Sequence, residues 1–177
     1  IPDERLQFDP EYAISLEGGV KGRWDALGLS ADVSVYHLRR EDQQVATSFQ
    51  LDPQDPLTFV FYNDNAARGR ATGLEGSLAW QATPRWLLAG SLTLMESEYL
   101  GYRFGDRDLD GRDWAHAPGW RYSLAATWRH PAGWMGRADV AGHDGFYYDT
   151  SHDERAGAYT LVNLRAGYEA ERWSVHA

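Results

Sequence analysis

The feature that most constrains this chain is an apolar and polar alternation of period two that runs almost from end to end. From Ser15 to Trp24, Leu16, Gly18, Val20, Gly22 and Trp24 fall on one face, and Ser15, Glu17, Gly19, Lys21 and Arg23 fall on the other. The same alternation recurs at Leu29, Ala31, Val33, Val35, then at Leu74, Gly76, Leu78, Trp80, and then at Trp86, Leu88, Gly90, Leu92, Leu94. After Pro118 it continues at Trp120, Tyr122, Leu124, Ala126, Trp128, then at Trp134, Gly136, Ala138, Val140, Gly142, and then at Val162, Leu164, Ala166, Tyr168; a last strand begins at Trp173 and Val175. None of these apolar positions carries a charge, whereas the alternate positions include Asp32, Glu75, Arg121, Arg129, Arg137, Asp139, Arg165 and Glu169. An all-β fold follows, with one apolar and one wet face on each strand.

Two such folds compete, a soluble sandwich and a membrane barrel. The apolar face is rich in Gly and Ala, which fill a sandwich core poorly but cost little against lipid. Six of the eight Trp flank short connections: Trp24 before 25–28, Trp80 and Trp86 around 82–85, Trp128 and Trp134 around 130–133, and Trp173 after 170–172, with Tyr168 completing the last pair. Rings repeated at strand ends suit a membrane-interface girdle, because an indole has an apolar body and a polar N–H. An opposite girdle is expected at Tyr36, Tyr99, Trp120, Tyr147 and Tyr159, roughly 10 residues away along the strands, the length of a tilted membrane strand. The short turns alternate with long polar loops expected at about 42–69, 100–118 and 149–157, and 57–62 should form a stiff hairpin arm above the membrane, bracketed by Asp52-Pro53 and Asp55-Pro56. The fold predicted is an antiparallel transmembrane β-barrel segment of about eight up-and-down strands with short periplasmic turns and long extracellular loops, without helices.

Composition narrows the function. Aromatic residues make up 14 % of the chain although its mean hydropathy is negative, as a sheet with one wet face requires. A net charge of -9 argues against a nucleic-acid partner, and the absence of Cys removes disulfides, thiolate nucleophiles and Cys-ligated metals. No apolar run reaches the roughly 20 residues of a transmembrane helix, so any membrane crossing is made by strands.

Chemical motifs are sparse. Asp106-Arg107-Asp108-Leu109-Asp110-Gly111 matches the first half of a calcium loop, but position twelve is Ala117 where a bidentate Glu is needed, so a solvated turn is the preferred reading. The histidines lack zinc-binding spacing; His143 and Asp144 with Asp149, His152 and Asp153 are the one group that would converge above a hairpin to hold an anion or a metal complex, against a reading as solvated loop residues. No nucleophile elbow, Walker loop or dinucleotide fingerprint occurs, and no catalytic residue, metal site or cofactor is assigned. Asp32 with Glu75, or Asp139 with Glu169, could act as acid and base across neighbouring strands, but inward charges interleaved with Arg and Lys are better read as ion pairs lining a wet lumen.

Several segments, in order, resemble the C-terminal barrel region of TonB-dependent outer-membrane receptors. They are Pro10-Glu11 leading into Leu16-Glu17-Gly18-Gly19-Val20-Lys21-Gly22, Val35-Tyr36 followed by Glu41-Asp42-Gln43-Gln44-Val45, Asn65-Ala66-Ala67 leading to Gly73-Leu74-Glu75-Gly76, Ala117-Pro118-Gly119-Trp120, and Tyr159-Thr160-Leu161-Val162-Asn163-Leu164-Arg165-Ala166-Gly167-Tyr168-Glu169. The resemblance implies that residues 1–177 are part of a 22-stranded barrel in a Gram-negative outer membrane, with the plug, the TonB box and the final strand outside them. It also implies a non-enzymatic receptor that binds a scarce nutrient such as a ferric siderophore and admits it when the TonB complex acts, with outer-membrane lipid around the wall. Candidate ligand contacts are loop aromatics and cations: Tyr102, Arg103, Arg107, Trp114, His116, Tyr147, Tyr148, His152 and Arg155. Arg and Tyr suit an anionic catechol or hydroxamate ligand, since guanidinium supplies charge and forked donors. Two rivals remain at this level. A complete eight-stranded barrel, an adhesin or enzyme, would be a heat-modifiable monomer in detergent; a soluble carbohydrate-binding sandwich would stay monomeric in buffer with its Trp shielded from lipid-borne quenchers.

Overall fold

The computed structural model describes residues 9–52, 54–55 and 57–177; Pro53 and Pro56, expected to bracket the arm at 57–62, lie outside them, as do residues 1–8. In chain order the strands are β1 (Tyr12–Trp24), β2 (Leu29–Gln50), β3 (Phe59–Thr83), β4 (Trp86–Leu100), β5 (Arg103–Phe104), β6 (Arg107–Asp108), β7 (Trp120–Arg129), β8 (Trp134–His143), β9 (Phe146–Tyr147), β10 (Arg155–Ala156), β11 (Tyr159–Glu169) and β12 (Ser174–His176). Among the described residues eight of them form one sheet in the order β1-β2-β3-β4-β7-β8-β11-β12, each antiparallel to the next. The ribbons β5-β6 and β9-β10 stand apart from it, inside the long connections.

Directly paired residues share a face, so the register sorts side chains into rows. One row of the apolar face reads Gly22, Ala31, Leu78, Gly90, Leu124, Val140 and Val162. The matching row of the polar face reads Lys21, Asp32, Ser77, Ser91, Ser123, Ala141 and Leu161, in which Ser77 donates to Asp32 at 2.6 Å and the hydroxyls of Ser91 and Ser123 lie 2.8 Å apart. Among the described residues the apolar face has no partner layer: Leu16 is 75 % exposed, Val20 70 % and Leu164 77 %. A sandwich would bury these against a second sheet, worth roughly 1.5–3 kcal/mol for each large side chain. Of the buried hydrophobic residues described, Val45, Ala71, Tyr99, Tyr102 and Leu109 sit at the long-loop end and only Met135 lies elsewhere. Among the described residues β1 and β12 are the two ends of the sheet and do not pair with each other, which the closed eight-stranded alternative would require.

The aromatic residues at the short turns descend the sheet in steps. Trp24 and Trp80 share a row, Trp86 pairs with Trp128 one row lower, and Trp134 pairs with Tyr168 another row down, with Tyr168 and Trp173 in ring contact at 5.5 Å. From β4 and β7 to β8 and β11 the step is one row per two strands, about 6.8 Å along the strands for ~9.6 Å across them, a slope of roughly 35°. Strands tilted by that angle bring the rings to a common level.

Three sequence expectations change, those for 42–69, for the arm at 57–62 and for the opposite girdle. The segment 42–69 is not a loop: β2 and β3 stay paired out to Gln50 opposite Phe59, with register shifts between Arg40 and Gln44, so the connection is only 51–58. β-Branched and aromatic residues on both arms carry the strands on, roughly 40 Å of chain path beyond the apolar band. The arm expected at 57–62 begins at Phe59, with Leu57 still in the turn. A single 3-10 turn, Asp25–Leu27, closes the first short connection; Gly28 ends it at φ 61°, where a Cβ would come within 2.9 Å of the Gln81 carbonyl oxygen. The opposite girdle does not form as a belt. Tyr36 and Tyr159 project from the polar face, being paired with Glu17 and His143, Tyr99 is buried under the loops, and Tyr147 lies in the connection beyond β8, so of that set only Trp120 is on the apolar face.

A charge introduced on the two faces should therefore have unequal cost. Leu78→Arg is expected to destabilise the protein in a bilayer by about 2–4 kcal/mol, and Ser77→Arg by less than about 0.5 kcal/mol, read from urea unfolding in lipid vesicles.

Candidate functional site

The long connections 101–119 and 144–158 fold against each other at the end of the sheet opposite the short turns. In the first, Gly101, Gly105 and Gly111 take left-handed φ values of 67°, 58° and 75°, which lets the chain reverse around the β5-β6 ribbon. The Asp-x-Asp-x-Asp-Gly run serves those reversals: Asp110 accepts from the Gly101 N–H at 2.6 Å, and Asp108 accepts from the Asp110 N–H at 3.1 Å. Among the described residues no group of three or more His, Asp or Glu side chains is arranged to hold a metal.

Beneath this turn lies a small apolar core of Val45, Tyr99, Tyr102 and Leu109, with Phe104 and Trp114 packed against it. The Tyr99 and Tyr102 rings are 5.3 Å apart, and the Trp114 indole donates to the Glu98 carbonyl at 2.9 Å. The second connection is held by Asp149, which accepts from the backbone N–H groups of Ser151 and His152, both at 2.7 Å, with the His152 Nδ1 at 2.8 Å. Partial burial pushes the Asp149 carboxyl up, but these hydrogen bonds outweigh it and hold the group below its ordinary value.

The two connections meet at a polar node. The Asp153 carboxylate accepts two hydrogen bonds from Arg107, both at 2.7 Å, and one from Arg112 at 2.7 Å. Arg107 also donates to the Ser151 carbonyl at 2.5 Å, and Arg112 to the His152 carbonyl. The Arg112 guanidinium lies 3.8 Å from the centre of the Tyr147 ring and that of Arg155 lies 4.4 Å from it, both within cation-π range. Backbone contact adds a parallel bridge between Ala115 and Tyr147, with the His116 N–H donating to the Tyr147 carbonyl at 2.9 Å.

The nine candidate contacts divide accordingly. Tyr102 is 1 % exposed and Trp114 is half-buried, and both belong to the core under the loop. Arg107, Tyr147, His152 and Arg155 come together at the node, and Arg103 stands exposed on the β5-β6 ribbon, 3.6 Å from Asp108. His116, at φ 57°, and the exposed Tyr148 border Phe146, with ring centroids 5.6 and 6.0 Å from it. Sequence reasoning does not single out Arg112, and places Asp153 only in a group with His143, Asp144, Asp149 and His152. No spacing rule links Arg112 to Asp153, 41 residues away, and the other members of that group find separate partners: His143 Nδ1 is 2.6 Å from the Asp144 carbonyl, and His152 caps on Asp149.

The comparisons with known proteins agree with this architecture. A family model described as TonB dependent receptor-like, beta-barrel matches residues 4–177. The chain is similar to the ferric yersiniabactin uptake receptor FyuA from Yersinia pestis (19 % identity, 96 % of this chain and 24 % of that one, TM-score 0.72). It is similar also to the siderophore receptor PiuA from Acinetobacter baumannii (20 % identity, 99 % and 25 %, TM-score 0.73) and to the pyoverdine receptor FpvA from Pseudomonas aeruginosa (16 % identity, 96 % and 25 %, TM-score 0.66). At these identities the likeness is one of fold, and the chain spans about a quarter of the length of each solved receptor.

The node predicts a defined response to acid. Side-chain hydrogen bonds from Arg112 and Arg107 hold the Asp153 carboxyl below its ordinary value of 3.8. A depressed folded-state value means that the stabilisation is complete above the ordinary carboxylate range and is lost only as the pH falls below it. Protection of the 144–158 amides against hydrogen exchange, taken relative to the intrinsic rate at each pH, should therefore be high at pH 7 and at pH 5 and fall below about pH 4, and in Asp153→Asn it should be low at all three.

Proposed function

Because the chain belongs to the TonB-dependent receptor-like β-barrel family, we propose that it forms part of the barrel wall and external loops of a receptor that takes up a ferric siderophore or similar scarce nutrient, energised by TonB. Members of this family are receptors of the Gram-negative outer membrane, and they are not enzymes. The observation that carries the reading is the pairing of two surfaces on one sheet: an apolar face of exposed Leu, Val and Trp without a partner layer, and a platform of Arg and aromatic side chains at the long-loop end. The first needs lipid, and the second offers charge and ring faces to an anionic aromatic ligand. The cargo class draws on the solved relatives, a ferric yersiniabactin uptake receptor and a siderophore receptor among them.

In this reading Arg103, Arg107, His116, Tyr147, Tyr148, His152 and Arg155 provide the ligand-facing surface, while Tyr102 and Trp114 hold it from below. Trp24, Trp80, Trp86, Trp128, Trp134, Tyr168 and Trp173 form the girdle at the periplasmic interface. Strands from outside residues 1–177 complete the barrel, since a free edge such as that of β1 leaves unpaired backbone groups, each costing several kcal/mol in hydrocarbon. The plug and the TonB box that receptors of this family use also lie outside residues 1–177 in this reading.

Uptake of radioactive iron tests the proposal in cells expressing the whole protein under iron limitation, with ferric complexes of a tris-catecholate, a tris-hydroxamate and citrate as cargo. The expected result is saturable uptake of at least one complex, lost on deletion of TonB, with Arg155→Ala raising the half-saturation concentration about ten-fold, as the loss of one charge-assisted contact would. Uptake of none of the three, or uptake indifferent to TonB, overturns it.

A further inference from the structure

The strongest unassigned feature is the node that joins the two external connections. Arg107 and Arg112 reach from one connection to Asp153 in the other, 46 and 41 residues away, and the Tyr147 ring of that second connection receives the guanidiniums of Arg112 and Arg155. Arg112 differs from the other cations in being almost enclosed: its side chain is 8 % exposed, whereas the Arg107 and Arg155 side chains are 43 % and 47 % exposed. An enclosed guanidinium whose Nη1 and Nη2 already donate to Asp153 and the His152 carbonyl is unsuited to meeting a ligand, and suited to holding its neighbours. The charges around it are Arg107 and Arg155 on one side of the balance, Asp153 and Asp113 on the other, the last at 4.0 Å from Arg155.

We propose that Asp153 and Arg112 are positioning residues: they clasp the connection 101–119 to the connection 144–158, and through that clasp hold Tyr147, Arg107 and Arg155 in place for ligand. The second half of this statement rests on the reading of the platform as a ligand-binding surface; the first does not. Asp153 joins two guanidiniums that would otherwise repel each other, and Arg112 carries that link to the face of Tyr147. Removing the carboxylate leaves Arg112 enclosed without a counter-charge and Arg107 without its forked partner, so the connections separate although each keeps its own local structure. Asp149 supplies a control, since its hydrogen bonds stay within the second connection.

The experiment uses the whole protein in outer-membrane vesicles, with nitroxide labels at Asp106→Cys on the β5-β6 ribbon and Gly157→Cys beyond β10, where a Cβ meets nothing within 4 Å. Residues 1–177 contain no other cysteine. Electron-electron resonance should give one narrow distance distribution in the parent and in Asp153→Glu and Asp149→Asn, and a broad one in Asp153→Asn and Arg112→Gln. A distribution in Asp153→Asn as narrow as the parent's overturns the clasp. With whichever of the three ferric complexes is taken up, Asp153→Asn should raise the half-saturation concentration about ten-fold while the maximal rate stays within about two-fold, and Asp153→Glu should restore it. Broadened distances with unchanged half-saturation overturn the positioning role. If none of the complexes is taken up, the cargo assignment fails, and the distance measurement still decides the clasp.

Discussion

Everything in this protein depends on the uninterrupted pairing of backbone N–H and C=O groups across the sheet. An unpaired peptide group in hydrocarbon costs several kcal/mol, so strands that face lipid must hydrogen-bond to strands on both sides. The register from β1 to β11 meets that demand over the whole apolar band, with an irregularity between Gln81 and Thr83 at the short turn and another between Arg40 and Gln44 where β2 and β3 leave the band. The backbone departs from regular pairing only where water is available to satisfy it. With the ladder fixed, side chains on the apolar face are free to be small: Gly22, Gly76, Gly90, Gly136 and Gly142 lie there, and among the described residues that face packs against no second layer.

Above the band the stabilising device changes. The external connections have water on one side and cannot rely on lipid, so they are held by a compact set of rings around Tyr102 and by charge pairs of short range. Charge pairs in this setting contribute modestly one at a time, and the node gains by sharing one carboxylate between two guanidiniums and stacking one of them on a ring. Rigid rows below and a polar joint above give a surface that can change without disturbing the wall that carries it.

How much of this could be read in the sequence follows from the range of each interaction. The rows of the wall are legible because a strand repeats every second residue, so the alternation at Leu16 to Trp24 and its later counterparts predicts both faces, and Trp beside short polar turns predicts which strand ends lie together. The hairpin of β2 and β3 escapes for a local reason: Asp, Asn and Gln are common in 42–69, and composition outweighs the strand propensity of Val45, Phe59 and Val60. Tyr36 and Tyr159 read as girdle residues from their place near the strand ends, whereas parity puts them on the polar face. The platform is the least legible part. Arg107 and Arg155 invite notice as loop cations, but the pairing of Arg112 with Asp153 depends on how two irregular connections lean together, and no periodicity encodes that.

One pair on the polar face says what must lie in front of it. Arg137 and Arg165 stand directly opposite each other on β8 and β11, Arg137 turning along its own strand to Asp139, with no carboxylate paired to Arg165 among the described residues. Like charges directly opposite each other on paired strands are destabilising, and two unit charges at the ~5 Å of such a pair would repel by roughly 0.8 kcal/mol in bulk water but by about 3 kcal/mol at an effective dielectric of 20, less where one of them is ion-paired, as Arg137 is to Asp139. A tightly packed barrel interior would impose the larger cost; an open aqueous one reduces it to a level that a sheet carries easily. The pair thus acts as a gauge of the medium on that side, since the polar face carries it at least cost where that medium is water.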